Sequence, residues 1–362
     1  MIWGAGTAWP DTLNHYTQTN LTSDLPGVAA QQDPNLVNPW GIVASPTSPF
    51  WISDNGTGLS TLYNGAGKPA SLVVTVPPPA GNTGPAAPTG VVFNGSSSFG
   101  GAPFLFATED GTISSWTGGT NAMLQVTSAP GSVYKGLAIG TSGSANLLYA
   151  ANFGAGKIDV FDSHFTATTV AGGFTDPTLP TGYAPFNIQN IDGKLYVTYA
   201  LQDAAKHDDV AGPGHGFIDV FDTDGNLLRR FTSQGALNSP WGLALAPAQF
   251  GAFSGDLLIG NFGNGVINAY DPNNGAFAGT LDDVTGNPIQ VGGLWGLSFG
   301  NGAQGQDLNT LYFTAGIPGP NGQIEDHGLF GAVAQTPEPE SLLLMALGIG
   351  SLLCFYRKRA WR

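Results

Sequence analysis

The sequence predicts an all-β fold in which six similar sheets stand around one axis, and three observations lead to it. First, 54 glycines and 26 prolines punctuate a 362-residue chain that is still 42% hydrophobic and 11% aromatic. Breakers at that density favour short strands joined by turns, while the apolar share is enough for a substantial core. Second, a short strand motif recurs six times at a period of about 51 residues, the spacing of propeller blades. Third, the last unit ends one strand short, and the chain begins with one strand to spare. Together these give a six-bladed β-propeller over 14–334, closed by the N-terminal strand and preceded by a stub at 1–13.

The first strand of each unit carries the motif. Its copies are Pro39-Trp40-Gly41-Ile42-Val43, Pro88-Thr89-Gly90-Val91-Val92, Tyr134-Lys135-Gly136-Leu137-Ala138, Pro185-Phe186-Asn187-Ile188-Gln189, Pro240-Trp241-Gly242-Leu243-Ala244 and Leu294-Trp295-Gly296-Leu297-Ser298. A continuous apolar run follows in each unit, as in Phe50–Ser53 or Leu257–Gly260, and suits a strand sandwiched between blades. A Gly-rich turn leads to a third strand, clearest in Lys157–Asp162, Phe217–Asp222 and Val266–Asp271, whose alternation suggests a place nearer the edge. A weaker fourth strand ends the unit, for example Ser71–Val76 or Leu227–Thr232. The sixth unit stops after its third strand, Gly328–Val333, so Tyr16–Leu21 is free to complete it and hide an edge.

The stretch Ala151-Asn152-Phe153-Gly154-Ala155-Gly156-Lys157-Ile158-Asp159-Val160-Phe161-Asp162 resembles the blades of the NHL and six-bladed propeller group, with their aliphatic-x-Val-Phe-Asp third strand. The resemblance implies the fold over about 14–334 and leaves the activity open, because propellers host many.

After the ring comes a three-part tail. A linker at 335–340 holds Pro337, Glu338 and Pro339, an uncharged run spans 341–356, and Arg357, Lys358, Arg359 and Arg362 close the chain. Sixteen helical residues reach about 24 Å, and snorkelling cations absorb the shortfall against a hydrocarbon core of about 30 Å. Leu342, Leu343, Leu344, Met345, Leu347 and Ile349 leave no polar face, so 341–356 reads as a transmembrane helix with 357–362 in the cytoplasm. This order of parts resembles the PEP-CTERM sorting signal of Gram-negative bacteria, which an exosortase-type membrane peptidase recognises. The resemblance implies that the body is exported, held at the inner membrane with the propeller in the periplasm, and then passed to the cell surface or extracellular matrix. Pro337, Glu338, Pro339, Arg357, Lys358 and Arg359 are then an address. The N-terminus has neither a basic n-region nor an apolar h-region, so the natural start is expected upstream of Met1.

Charge narrows the function. Eleven basic residues face 25 acidic ones, and four of the eleven lie in the last six positions. A body this acidic repels phosphate backbones, which excludes nucleic acid as a partner. The single cysteine, Cys354, lies in the tail, so the ring has no disulfide, thiolate nucleophile or cysteine zinc site. There is no Gly-x-Ser-x-Gly elbow, Walker loop or His-Glu-x-x-His.

One face of a propeller gathers the loops between strands two and three together with the blade-to-blade connections. It would bring together Asp54, Glu109, Asn152, Asp203 and Asn261, hard oxygen donors suited to Ca²⁺. A comparable Glu/Asn/Asp set surrounds the divalent metal of gluconolactonase-type propellers, an analogy through fold alone. The competing reading is that Asp or Asn before Gly closes turns, with Asn152-Phe153-Gly154 and Asn261-Phe262-Gly263 as copies of one solution. Trp40, Lys135, Phe186, Trp241 and Trp295 would ring the central mouth, either packed between strands or as exposed rings for a polysaccharide or protein ligand. The irregular loop Gln202–Gly216 adds His207, Asp208, Asp209 and His215, as a metal loop or as a solvated insertion. The expectation is a surface or matrix binding module, with a metal-dependent hydrolase or lactonase as the rival.

Overall fold

A computed structural model describes residues 14–336 of the chain. Six antiparallel sheets form the ring. Blade one is Pro39–Val43, Phe50–Asp54, Leu59–Tyr63 and Val74–Thr75; blade two is Pro88–Phe93, Phe104–Thr108, Thr112–Trp116 and Met123–Thr127. Blade three is Tyr134–Ser142, Ala145–Asn152, Lys157–Phe161 and Ala167–Thr168; blade four is Tyr183–Ile191, Lys194–Leu201, Phe217–Phe221 and Leu227–Ser233. Blade five is Pro240–Leu245, Leu257–Asn261, Ile267–Tyr270 and Phe277–Thr280. Every copy of the repeat motif lies in the innermost strand of its blade.

The sixth blade is assembled from both ends of the body. Leu294–Phe299, Leu311–Ala315 and Leu329–Gln335 come from its end, and Tyr16–Ser23 from its start. The joining ladder runs antiparallel from Tyr16 opposite Gln335 to Ser23 opposite Leu329, with a bulge at Leu21. Tyr16 locks it: the side chain is buried, its hydroxyl donates to the Phe250 carbonyl at 2.9 Å, and its ring lies 4.8 Å from that of Phe250. Gln31–Gln32 adds a short parallel strand outside Tyr16–Ser23, which the sequence pattern did not suggest.

Packing explains the repeat. Six apolar clusters each fill one junction between neighbouring blades, and a seventh fills the axis. A blade is therefore buried on both faces, so the third strand of blade four, Phe217–Phe221, is buried throughout, Asp219 included. It is third of four from the axis, nearer the edge as expected, but its burial does not alternate. The motif glycines are there for close approach: a Cβ on Gly41 would stand 2.5 Å from the Thr89 carbonyl oxygen, and one on Gly296 2.6 Å from that of Trp40. Blade four has Asn187 at this position, and its amide donates to the Trp241 carbonyl at 2.7 Å, replacing contact with a hydrogen bond.

The expected stub at 1–13, the sorting box Pro337, Glu338 and Pro339, the helix at 341–356 and the basic end lie outside the described residues. Among the described residues no helix is long and apolar enough to cross a membrane.

Candidate functional site at the axial mouth

Where the six inner strands begin, the axis is plugged. Trp40 stacks on Trp295 and Trp295 on Phe262, at ring separations of 3.4 and 4.0 Å, and Trp241 meets the first two edge-on. Phe186 leans on Phe153 and Trp295. Trp40, Phe186, Trp241 and Trp295 are at most 4% exposed. The expected aromatic ring exists, but as a packed stopper that leaves no face for a sugar to stack on. The exposed-ring reading falls for that reason.

On this stopper sits Lys135, only 1% exposed, with its ammonium 4.8 Å above the Trp40 ring and 5.8 Å from that of Phe153. Glu109 pairs with it directly, and Asp208 lies 3.4 Å away. Burial alone would lower the lysine pKa; the Glu109 carboxylate, with Asp208 and Glu325 behind it, outweighs that and holds it above its ordinary value. A pair so placed keeps its charge because aromatic faces and carboxylates replace the water it has lost.

From the pair an arc of hydrogen bonds crosses the mouth. Asn55 donates to the second Glu109 oxygen at 2.7 Å, and Asn38 donates to Asn55 at 3.3 Å and to Glu325 at 3.1 Å. The Trp295 indole donates to Asn38 at 3.3 Å. On the other side, His207 Nδ1 and Asp208 lie 2.9 Å apart. Blades six, one, two, three and four thus each contribute a polar side chain. Burial first, then the Glu109 and Asp208 charges, push the Glu325 carboxyl up to about 7 despite its Asn38 bond. Burial also raises Asp209, whereas Asp208, opposed by its own burial, is held low by Lys135 and His207.

Four of the ten non-glycine residues with positive φ among the described residues lie at the mouth. Asn38, Lys206, Ser239 and Glu325 all have positive φ, between 47° and 73°. Such conformations cost free energy in non-glycine residues and concentrate at functional sites. Two buried indole N–H groups at the mouth, Trp40 Nε1 and Trp241 Nε1, also lack a hydrogen-bond partner, while the Ser239 hydroxyl stands by the Asp209 carboxyl and partly offsets the rise that burial causes.

Of the five residues expected around a metal, the arc includes only Glu109. Asn152 accepts from the amides of Val133 and Ala155, and Asn261 accepts from that of Asn238, both closing turns of their own blades. Asp203 accepts from the His207 amide at 2.9 Å and shapes its own loop. Asp54 is fully buried, accepts from Thr61 at 2.8 Å, and is driven by burial well above the usual carboxylate range, which makes it a poor cation ligand. A different trio is close: ligand atoms of Glu109, His207 and Asp208 lie within 4.8 Å of one another. The irregular loop therefore reaches the centre. Asn38 and its role as the arc's hub were missed, and its one sequence signal was its place just before the Pro-Trp-Gly motif.

Comparisons with known proteins agree with this architecture. The PEP-CTERM protein-sorting motif matches residues 335–360. Two uncharacterized proteins of Acanthamoeba polyphaga mimivirus, R648 and L690, are each 35% identical to the chain. The first match covers 82% of this chain and 76% of R648; the second covers 82% and 80% of L690. Among solved structures, a Bacteroides thetaiotaomicron protein of unknown function superposes with a TM-score of 0.54 at 12% identity, over 88% of this chain and 76% of its own. A PQQ-bound aldose sugar dehydrogenase from Streptomyces coelicolor gives 0.50 at 12% identity, over 89% and 99%. At such identities the structural likeness speaks for the fold alone.

Proposed function

The chain belongs to one family with the mimivirus proteins R648 and L690, and on that premise we propose that it is an exported propeller displayed as a surface or matrix binding module. The supporting observation is where the sorting motif begins. The last ring strand ends at Gln335, the motif starts at the same residue, and the Thr336 amide still donates to the His15 carbonyl at 2.9 Å. Removing everything beyond that point leaves six complete blades, so processing by an exosortase-type peptidase would release an intact ring. In this reading 341–356 spans the membrane, 357–362 stays in the cytoplasm, and the body faces the periplasm until it is transferred.

The binding end is the mouth. Two indole N–H groups there, of Trp40 and Trp241, have no partner within the chain, and a buried polar group without a partner costs about 1–3 kcal/mol. A ligand rich in hydroxyls or amides, such as a polysaccharide or a peptide, would bring acceptors for them. The second reading, a metal-dependent hydrolase or lactonase, would draw on the Glu109, His207 and Asp208 trio, whose ligand atoms lie close together.

Expression of the full chain, with an upstream export signal, in an exosortase-bearing host tests the first reading. A shortened body outside the inner membrane is expected, and replacing Pro337, Glu338 and Pro339 by alanine should trap the full-length form in the membrane. Equal processing of both forms would overturn it.

A further inference from the structure

A divalent ion at the mouth would need carboxylate oxygens that already face the Lys135 ammonium. One Glu109 oxygen meets the Lys135 ammonium and the other accepts from Asn55 at 2.7 Å. Asp208 Oδ1 faces both that ammonium, at 3.4 Å, and the His207 ring, at 2.9 Å. A calcium ion takes six to eight oxygen ligands, and any ion held by this trio would lie within a few ångströms of a buried positive charge. That charge cannot retreat into solvent, because its side chain is 2% exposed and its head rests against Trp40 and Phe153. The residues present therefore do not fit a metal as they stand.

We infer that the Lys135 ammonium is the mouth's built-in cation: it takes the place a divalent ion would have among Glu109, Asp208 and His207, and loss of that one amine uncovers a divalent-cation site. The surplus of acid around it supports this, since Glu325 and Asp209 also feel the lysine charge and would share the deficit once it is gone. The inference rests on the mouth being the binding end. It narrows that reading to ligands recognised by hydrogen bonds and one fixed ammonium, without a bridging metal.

Terbium luminescence, sensitised by the nearby Trp40 and Trp295, reads the site directly in the full-length chain in detergent. The native protein should give no saturable signal that depends on Asp208. Lys135→Met should bind terbium at least tenfold more tightly, with calcium as competitor, and Asp208→Asn added to it should abolish the gain. A native signal as tight as the variant's and lost on Asp208→Asn would overturn the inference; so would a folded Lys135→Met that binds no tighter. Should Lys135→Met fail to fold, Lys135→Gln serves with the same criteria. In the native protein the ring-shifted Lys135 side-chain NMR signals should stay in place under excess calcium chloride, and their displacement would count against the proposal. These outcomes are independent of sorting, so failure here leaves the processing test of the exported-module reading untouched.

Discussion

The two ends of the propeller axis are built from the same six strands and could hardly differ more. At the mouth the strands begin with Trp40, Lys135, Phe186, Trp241 and Trp295, which fill the axis and carry a charged arc above them. Toward the far end they carry Val43, Phe93, Ile139, Gln189, Leu245 and Phe299, around a cavity of about 480 Å³ that no ionisable side chain lines. Repetition fixes the ring; the residue chosen at each strand's start or finish decides whether the axis is sealed or open. Of the two ends of the axis, the mouth carries the buried ion pair and the cavity lining carries no charge, so substitutions along the axis should lose effect from the mouth toward the cavity.

The largest effect is expected at the ion pair. Glu109→Leu leaves a buried ammonium without its main counter-charge and should cost about 3–5 kcal/mol in chemical denaturation. Adding Lys135→Met removes the orphan charge and should recover most of that loss, because an apolar pair tolerates the same environment. If the double variant is as damaged as the single one, the pair is packing rather than electrostatics, and the contrast between the ends weakens.

Next comes the ring of close contacts just below the stopper. Gly296→Ala drives a methyl group to 2.6 Å from the Trp40 carbonyl oxygen and should cost about 1–3 kcal/mol by overpacking, read as a lower denaturation midpoint. Asn187→Gly should cost about 1 kcal/mol, since it surrenders the bond to Trp241 while keeping the close approach.

A smaller signature depends on pH. The Glu325 carboxyl has its pKa at about 7 in the folded chain against 4.5 ordinarily. Between these values the folded form holds the proton and the unfolded form does not, so stability is full below about 4.5 and falls as pH rises through about 7. The slope should approach 1 kcal/mol per pH unit, roughly what one titrating group supplies. Glu325→Gln should make the melting temperature fall less steeply with pH in that window, leaving a remainder of the same sign from Asp54, Asp209 and Asp219, which burial also raises. An unchanged slope would remove Glu325 from the arc.

How far the sequence could be read follows the same division. The blades were legible because each inner strand repeats a packing requirement: glycine where a neighbouring backbone passes, an aromatic residue where the axis must be filled. Ring closure was legible because Tyr16–Leu21 had no partner in its own unit. The short strand Gln31–Gln32 carries no apolar pattern and could not be seen. At the mouth, the structure brings together Glu109, Lys135, His207 and Asp208 of the residues the sequence singled out, whereas Asn152 and Asn261 were drawn in by a turn chemistry that looks like ligand chemistry in one dimension. Asn38 joins Asn55 and Glu325 through hydrogen bonds among distant loops, for which the chain has no periodic signal.

The smallest effect belongs to the far end, and it is the most diagnostic. Gln189 is half-buried and lines the cavity. If that opening is only what remains when six strands splay around an axis, Gln189→Ala should shift stability by less than about 0.5 kcal/mol, as surface substitutions do. Binding at the mouth should be untouched, because the aromatic stack lies between the two compartments. A ligand whose affinity fell with Gln189→Ala, measured beside Glu109→Leu on the same preparation, would show that the cavity takes part in recognition. The sealed end would then be the structural one, and the assignment of roles to the two ends would reverse.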